Sequence, residues 1–117
     1  MSALTLAQSL IRINSISPND GGCFEIITSE LSQLGFSIEV VPELNSETLL
    51  AKYGNTGKVF CYLGHTDVVP SGPSEEWTSP PFEACVINDE LIGRGAADMK
   101  GSVAAFIEAL KQFLKTC

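Results

Sequence analysis

The sequence predicts an α/β fold, and three patterns carry that reading. Met99, Val103, Phe106, Ile107, Leu110, Phe113 and Leu114 recur at helical spacing, with Lys100, Ser102, Glu108, Lys111, Gln112 and Lys115 on the opposite side. Phe36, Ile38 and Val40 alternate with Ser37 and Glu39, as a half-buried strand does. Val59-Phe60-Cys61-Tyr62-Leu63 is an unbroken apolar run, the pattern of a strand buried on both faces. At 117 residues the chain suits one domain, and a domain of that size buries about two thirds of the surface its unfolded form exposes.

Taken in order, Leu4, Ala7, Leu10 and Ile11 define a first helix that Ser2 can cap, and Ser15 to Asp20 with Pro18 breaks it into a loop. Phe24, Ile27, Leu31 and Leu34 define a second helix, entered from Asp20-Gly21-Gly22 and stopped at Gly35, whose apolar face is expected against a sheet. The Phe36–Val40 strand is expected to end at Pro42. Leu49 to Tyr53 is the next apolar stretch, and Gly54-Asn55-Thr56-Gly57 reads as a turn that lets it pair as a hairpin with Val59–Leu63. Pro70 to Phe82 holds four prolines and Trp77 without periodicity, so it is a loop, ordered if Trp77 is pinned. Asn88-Asp89 separates Ala84–Ile87 from Leu91-Ile92 as the turn of a small hairpin, because both residues tolerate positive φ.

Fourteen acidic against seven basic residues give a charge of −7, with no basic cluster, which argues against a nucleic-acid partner. No apolar run approaches the about 18 to 20 residues of a membrane span, and the N-terminus shows no basic leader, so a soluble cytoplasmic chain is expected. Cys23, Cys61, Cys85 and Cys117 contain no Cys-x-x-Cys pair, which excludes a finger-type zinc site; they read as reduced thiols filling small apolar positions.

Two short stretches carry the chemistry. Gly64-His65-Thr66-Asp67 closes the Val59–Leu63 run, at the strand end where open α/β sheets place ligands. His65 and Asp67 are two residues apart, so on a continuing strand an imidazole and a carboxylate leave on one face. Gly93-Arg94-Gly95-Ala96-Ala97-Asp98-Met99-Lys100-Gly101 sets Asp98 at the start of the last helix, near its positive end. Taken singly, each has a plainer role: His65 as a satisfied polar group, Asp67 as a turn former, Asp98 as a helix cap. Arg94 suits either a substrate carboxylate or a structural pairing with Glu83 or Glu90. A phosphate-binding loop is the competing reading of the second stretch, but Lys100 precedes Gly101 instead of following a glycine, and Asp98 would repel a pyrophosphate.

His65-Thr66-Asp67-Val68-Val69-Pro70-Ser71-Gly72, Trp77 with Pro80-Pro81-Phe82, and Gly93 to Ser102 together resemble the zinc aminopeptidase/deacylase family, the M20-type metallopeptidases. Weaker echoes at Ser15-Ile16-Ser17-Pro18 and Leu34-Gly35-Phe36 extend the likeness to the N-terminus. The resemblance implies a three-layer αβα sandwich with a mixed sheet, truncated here. Residues 1–117 would be the N-terminal portion of the catalytic zinc-binding domain, without the dimerisation domain or the C-terminal catalytic part. It implies His65 as ligand of one zinc, Asp98 as the carboxylate bridging two zincs, Asp67 as the catalytic partner that hydrogen-bonds His65, and a cis peptide at Asp98-Met99; cobalt is a workable substitute for zinc. The intact relative would be a homodimer that hydrolyses an N-acyl amide, with N-succinyl-LL-2,6-diaminopimelate the leading substrate and other N-acyl amino acids or peptides the alternatives. General base and remaining ligands are expected beyond Cys117, since Glu108, the one acid after Asp98, lacks the family's Glu-Glu pair. The chain alone is therefore expected to bind zinc weakly or not at all, to be inactive, and to self-associate through an exposed strand edge.

Overall fold

The computed structural model describes residues 1–116. Helix α1 (Ala3–Ile11) begins where the Ser2 hydroxyl accepts the Thr5 amide at 3.2 Å. Its buried stripe is Leu6, Ala7, Leu10 and Ile11, whereas Leu4 is exposed, so the apolar face lies slightly round from the expected one. Helix α2 (Cys23–Ser32) is preceded by Gly22 at φ 113°, a conformation open to glycine. The Asp20 carboxylate accepts the Gly22 and Phe24 amides at 3.1 Å, satisfying donors that the first turn leaves free. Helix α3 spans Gly101–Leu114.

These helices make the core themselves. Leu6, Ala7 and Leu10 of α1, Cys23, Ile27 and Leu31 of α2, and Val103, Ala104 and Ile107 of α3 form one buried cluster. Ile38, Leu49 and Ala51 pack against it only partly buried. The apolar face of α2 joins this cluster and lies against β1, as expected of a helix packed on a sheet.

Strands β1 (Ser37–Glu43) and β2 (Ser46–Lys52) pair antiparallel from Ser37↔Lys52 to Glu43↔Ser46. The expected partner of the second stretch was Val59–Leu63, but the near neighbour wins: a two-residue connection at Leu44-Asn45 closes the pair at little loop entropy. Pro42 does not end β1, because each strand of a two-stranded ribbon has an unpaired side where a missing N–H costs nothing. Strands β3 (Cys85–Ile87) and β4 (Glu90–Ile92) form the second antiparallel pair, with Asn88 at φ 52° and Asp89 at φ 65° as that turn requires. Both sheets are antiparallel, and an isolated parallel bridge joins Ile16 to Val68 outside the strands.

Val59–Leu63 is not a strand, and Val59, Phe60 and Leu63 are 90%, 84% and 88% exposed. An apolar run becomes a strand only beside backbone that accepts its hydrogen bonds, and among the described residues none pairs with it. Cys61 is accordingly exposed, Cys23 alone of the described thiols is buried, and Cys117 lies outside the described residues. The proline-rich loop is pinned as expected: the Trp77 indole N–H donates to the Ser71 carbonyl at 2.9 Å. Helix α3 starts later than its pattern, since Asp98 and Met99 have non-helical dihedrals within a wide turn over Ala96–Lys100. Gly101 is needed at the junction, because a Cβ there would lie 2.4 Å from the Ala96 oxygen. Lys100, expected on the solvent side, is fully buried.

Candidate metal centre

Two loops bring the predicted residues together. His65 leaves the unpaired run into a segment held by Ser15, whose hydroxyl donates to the Thr66 carbonyl at 2.7 Å and whose carbonyl accepts the Val68 amide at 3.0 Å. Asp98 leaves the glycine-rich turn, where Gly95 takes φ 96° and its carbonyl accepts the Lys100 amide at 2.7 Å. The peptide Asp98-Met99 is cis, as is Ser17-Pro18, which sequence reading missed.

The His65 Nε2 atom lies 3.1 Å from Asp98 Oδ1. On the other side of the ring, Nδ1 lies 3.1 Å from the Asp67 carbonyl oxygen and 3.3 Å from Asp67 Oδ1. The imidazole is thus flanked by oxygen at both nitrogens, with Asp98 87% exposed to incoming solutes. A proton on Nδ1 directed at Asp67 leaves the Nε2 lone pair facing Asp98. Two ligands about 2.0–2.1 Å from one tetrahedral zinc stand about 3.3 Å apart, so the Nε2–Oδ1 separation suits a shared cation. A full set is not here: among the described residues no group of three His, Cys, Asp or Glu side chains is placed to hold a metal. The chain fits as part of a metal site, with imidazole nitrogen and carboxylate oxygen as its donors.

A cavity of about 190 Å³ opens at this pair, walled by Val68, Gly95 and Arg94. Arg94 pairs with neither Glu83 nor Glu90 as an ion pair; its guanidinium lies 5.1 Å from the Trp77 ring centre, and its buried Nε has no hydrogen-bond partner among the described residues. The Glu83 carbonyl instead accepts from Arg12. Behind the cavity, burial pushes the Lys100 ammonium below its ordinary pKa, against the pull of Cys23 and Asp20, and its Nζ donates to the Ile13 carbonyl at 3.0 Å. Burial likewise pushes the Cys23 thiol up, with Lys100 opposing.

Sequence reading missed the bonds of Ser15 to the Thr66 carbonyl and of Lys100 to the Ile13 carbonyl. The echo at Ser15-Ile16-Ser17-Pro18 was the available signal for the first; a lysine between Met99 and Gly101 gave none for the second. Also unforeseen is the stacking of Tyr62 on Phe106, with ring centroids 4.0 Å apart, which ties the run before His65 to α3.

The model of Peptidase family M20/M25/M40 matches residues 61–116, which include all three candidate residues. The succinyl-diaminopimelate desuccinylase of Psychromonas ingrahamii is 51% identical over 112 residues, covering 96% of this chain and 30% of that protein. The enzyme of the same name from Hydrogenovibrio crunogenus is 50% identical over 113 residues, with the same coverage. Human carnosine dipeptidase 1 superposes with a TM-score of 0.85 at 26% identity, over 97% of this chain and 28% of its own. An M20 family metallo-carboxypeptidase from Sulfolobus solfataricus gives the same TM-score and identity, over 99% and 28%. The α/β class is therefore that of M20 metallopeptidases, and the chain spans about 30% of the length of the curated relatives it matches. With that family's model on residues 61–116 and desuccinylase relatives along 96% of its length, the chain is similar to M20 peptidases through nearly all of its sequence.

Proposed function

We propose that residues 1–117 are the N-terminal portion of the catalytic domain of a metal-dependent amidohydrolase. Its substrate in this reading is N-succinyl-LL-2,6-diaminopimelate, released as succinate and diaminopimelate. The 3.1 Å approach of His65 Nε2 to Asp98 Oδ1 supports the metal reading, and the names of the relatives support the substrate. His65 would hold one zinc through Nε2, and Asp98 would bridge to a second. Paired zincs polarise an amide carbonyl and lower the pKa of water. Asp67 is assigned to the Nδ1 side, where it holds the proton on that nitrogen and turns the ring toward Asp98.

Catalytic zinc normally holds three protein ligands and a water, and a general base contributes about 10²- to 10⁴-fold; this chain supplies one imidazole and one carboxylate. Residues 1–117 alone are accordingly assigned weak metal binding and no turnover. A homodimer, a cytoplasmic setting and cobalt as a substitute metal belong to the same proposal. No helix among the described residues is long and apolar enough to cross a membrane. A second reading, hydrolysis of peptides or other N-acyl amino acids, draws on the dipeptidase and carboxypeptidase that share the fold.

The test is an assay of a polypeptide of the relatives' length that contains this chain, before and after chelation and after zinc is returned. Succinate release that chelation abolishes and zinc restores is the expected result. Unchanged turnover in metal-free protein contradicts the metal reading, and preference for a dipeptide or acetylated substrate selects the second one.

A further inference from the structure

Ser15 and Lys100 hydrogen-bond to backbone carbonyls and not to the side chains of His65 or Asp98, yet both are fully buried beside the loops that carry them. Thr66 and Val68, on either side of Asp67, are bonded to one short segment: Ser15 Oγ donates to the Thr66 carbonyl at 2.7 Å, the Val68 amide to the Ser15 carbonyl at 3.0 Å, and the Ser17 amide to the Val68 carbonyl at 3.0 Å. Lys100, two residues beyond Asp98, reaches the same segment from the other side, its Nζ donating to the Ile13 carbonyl at 3.0 Å. The Ile13–Ser17 backbone is thus a strap bonded to both halves of the site.

Two observations say that the strap does more than fill space. Taking an ammonium out of water costs several kcal/mol, and a methionine would occupy the volume without that penalty, so a fully buried lysine bonded to a backbone carbonyl calls for a use of its donor. The His65 loop, moreover, has no other backbone anchor of strand type: among the described residues, the Ile16–Val68 bridge is the one ladder contact between β2 and β3.

We propose that Ser15 and Lys100 are positioning residues that fix the His65–Asp98 separation through the Ile13–Ser17 strap, an inference that rests on the metal reading of that pair. The test compares Ser15→Ala, Ser15→Thr and Lys100→Met with Lys58→Met, which removes an exposed lysine. Two quantities are read on the 117-residue chain: amide exchange at Val68 without metal, and zinc affinity by calorimetric titration. Ser15→Ala and Lys100→Met should each weaken zinc binding about 10-fold, the low end for outer partners of a metal site. Both should speed exchange at Val68, although Lys100 makes no bond to that amide. Ser15→Thr, which keeps the hydroxyl, should restore both, and Lys58→Met should change neither. Wild-type exchange and affinity in Lys100→Met, or an equal effect of Lys58→Met, would overturn the proposal. Zinc uptake too weak to titrate agrees with the incomplete ligand set and leaves exchange at Val68 to decide the strap; failure of the metal reading shows separately, in the chelation assay of the longer polypeptide.

Discussion

Tyr62 lies flat on Phe106, the ring planes 7° apart, and its hydroxyl is 2.9 Å from the Ser102 hydroxyl. This contact joins the run that leads to His65, which has no strand partner, to the first two turns of α3. Stacked aromatic pairs contribute about 0.5–1.5 kcal/mol beyond the area they bury. A double-mutant cycle with Tyr62→Leu and Phe106→Leu, followed by urea unfolding, should give a coupling of about 1 kcal/mol. Strict additivity would show that the stacking does not hold the run in place.

Among the described residues, Lys111 and Glu30 form the one ion pair away from the site, at 2.7 Å, with the Glu30 side chain 8% exposed. Removing one partner of a buried pair costs about 3–5 kcal/mol, and the partial exposure of Lys111 puts Lys111→Met at or below the low end, about 3 kcal/mol. The hydrogen bond and charge of Glu30 hold the lysine above its ordinary 10.5. A raised pKa means that the folded state keeps its proton longer than the unfolded one. The contribution is therefore complete at neutral pH and is lost as pH climbs through the folded pKa, above 10.5. Unfolding curves of both proteins across that range check it: a difference that grows with alkalinity would contradict the assignment.

Gly95 combines φ 96° with close packing, since a Cβ there would stand 2.9 Å from Val68 Cγ1 and 3.0 Å from Lys100 Cδ. Gly95→Ala should therefore destabilise by about 1–3 kcal/mol through backbone strain and overpacking. Thermal unfolding measures it, and an unchanged midpoint would show that the turn yields freely.

What the sequence revealed was mostly local. Ser2 as a cap, Gly35 at its left-handed position and Asn88-Asp89 in their turn are each decided by a few neighbouring residues, and the structure has all of them. The stretches that failed depended on partners. Val59–Leu63 has the composition of a buried strand, but composition does not supply the neighbouring backbone that makes one. Lys100 was placed on the wet side of α3 because helical periodicity was extended through Asp98 and Met99, whose dihedrals break the helix and turn the lysine inward. At the site, the spacing of His65 and Asp67 foretold their contact, whereas the approach of Asp98 became visible only through the family resemblance and then in three dimensions.

The most direct test of the central claim, that His65 and Asp98 are two ligands of one metal site, is cobalt titration followed by visible absorption. It should be performed on a polypeptide of the relatives' length, comparing wild type with His65→Ala and Asp98→Asn. The wild type should develop the ligand-field bands of protein-bound cobalt, and each variant should lose at least about 10-fold in affinity with altered bands, since each removes a donor from the metal itself. Bands of unchanged intensity, position and midpoint in both variants would show that the 3.1 Å contact between Nε2 and Oδ1 is an ordinary hydrogen bond and no part of a metal site.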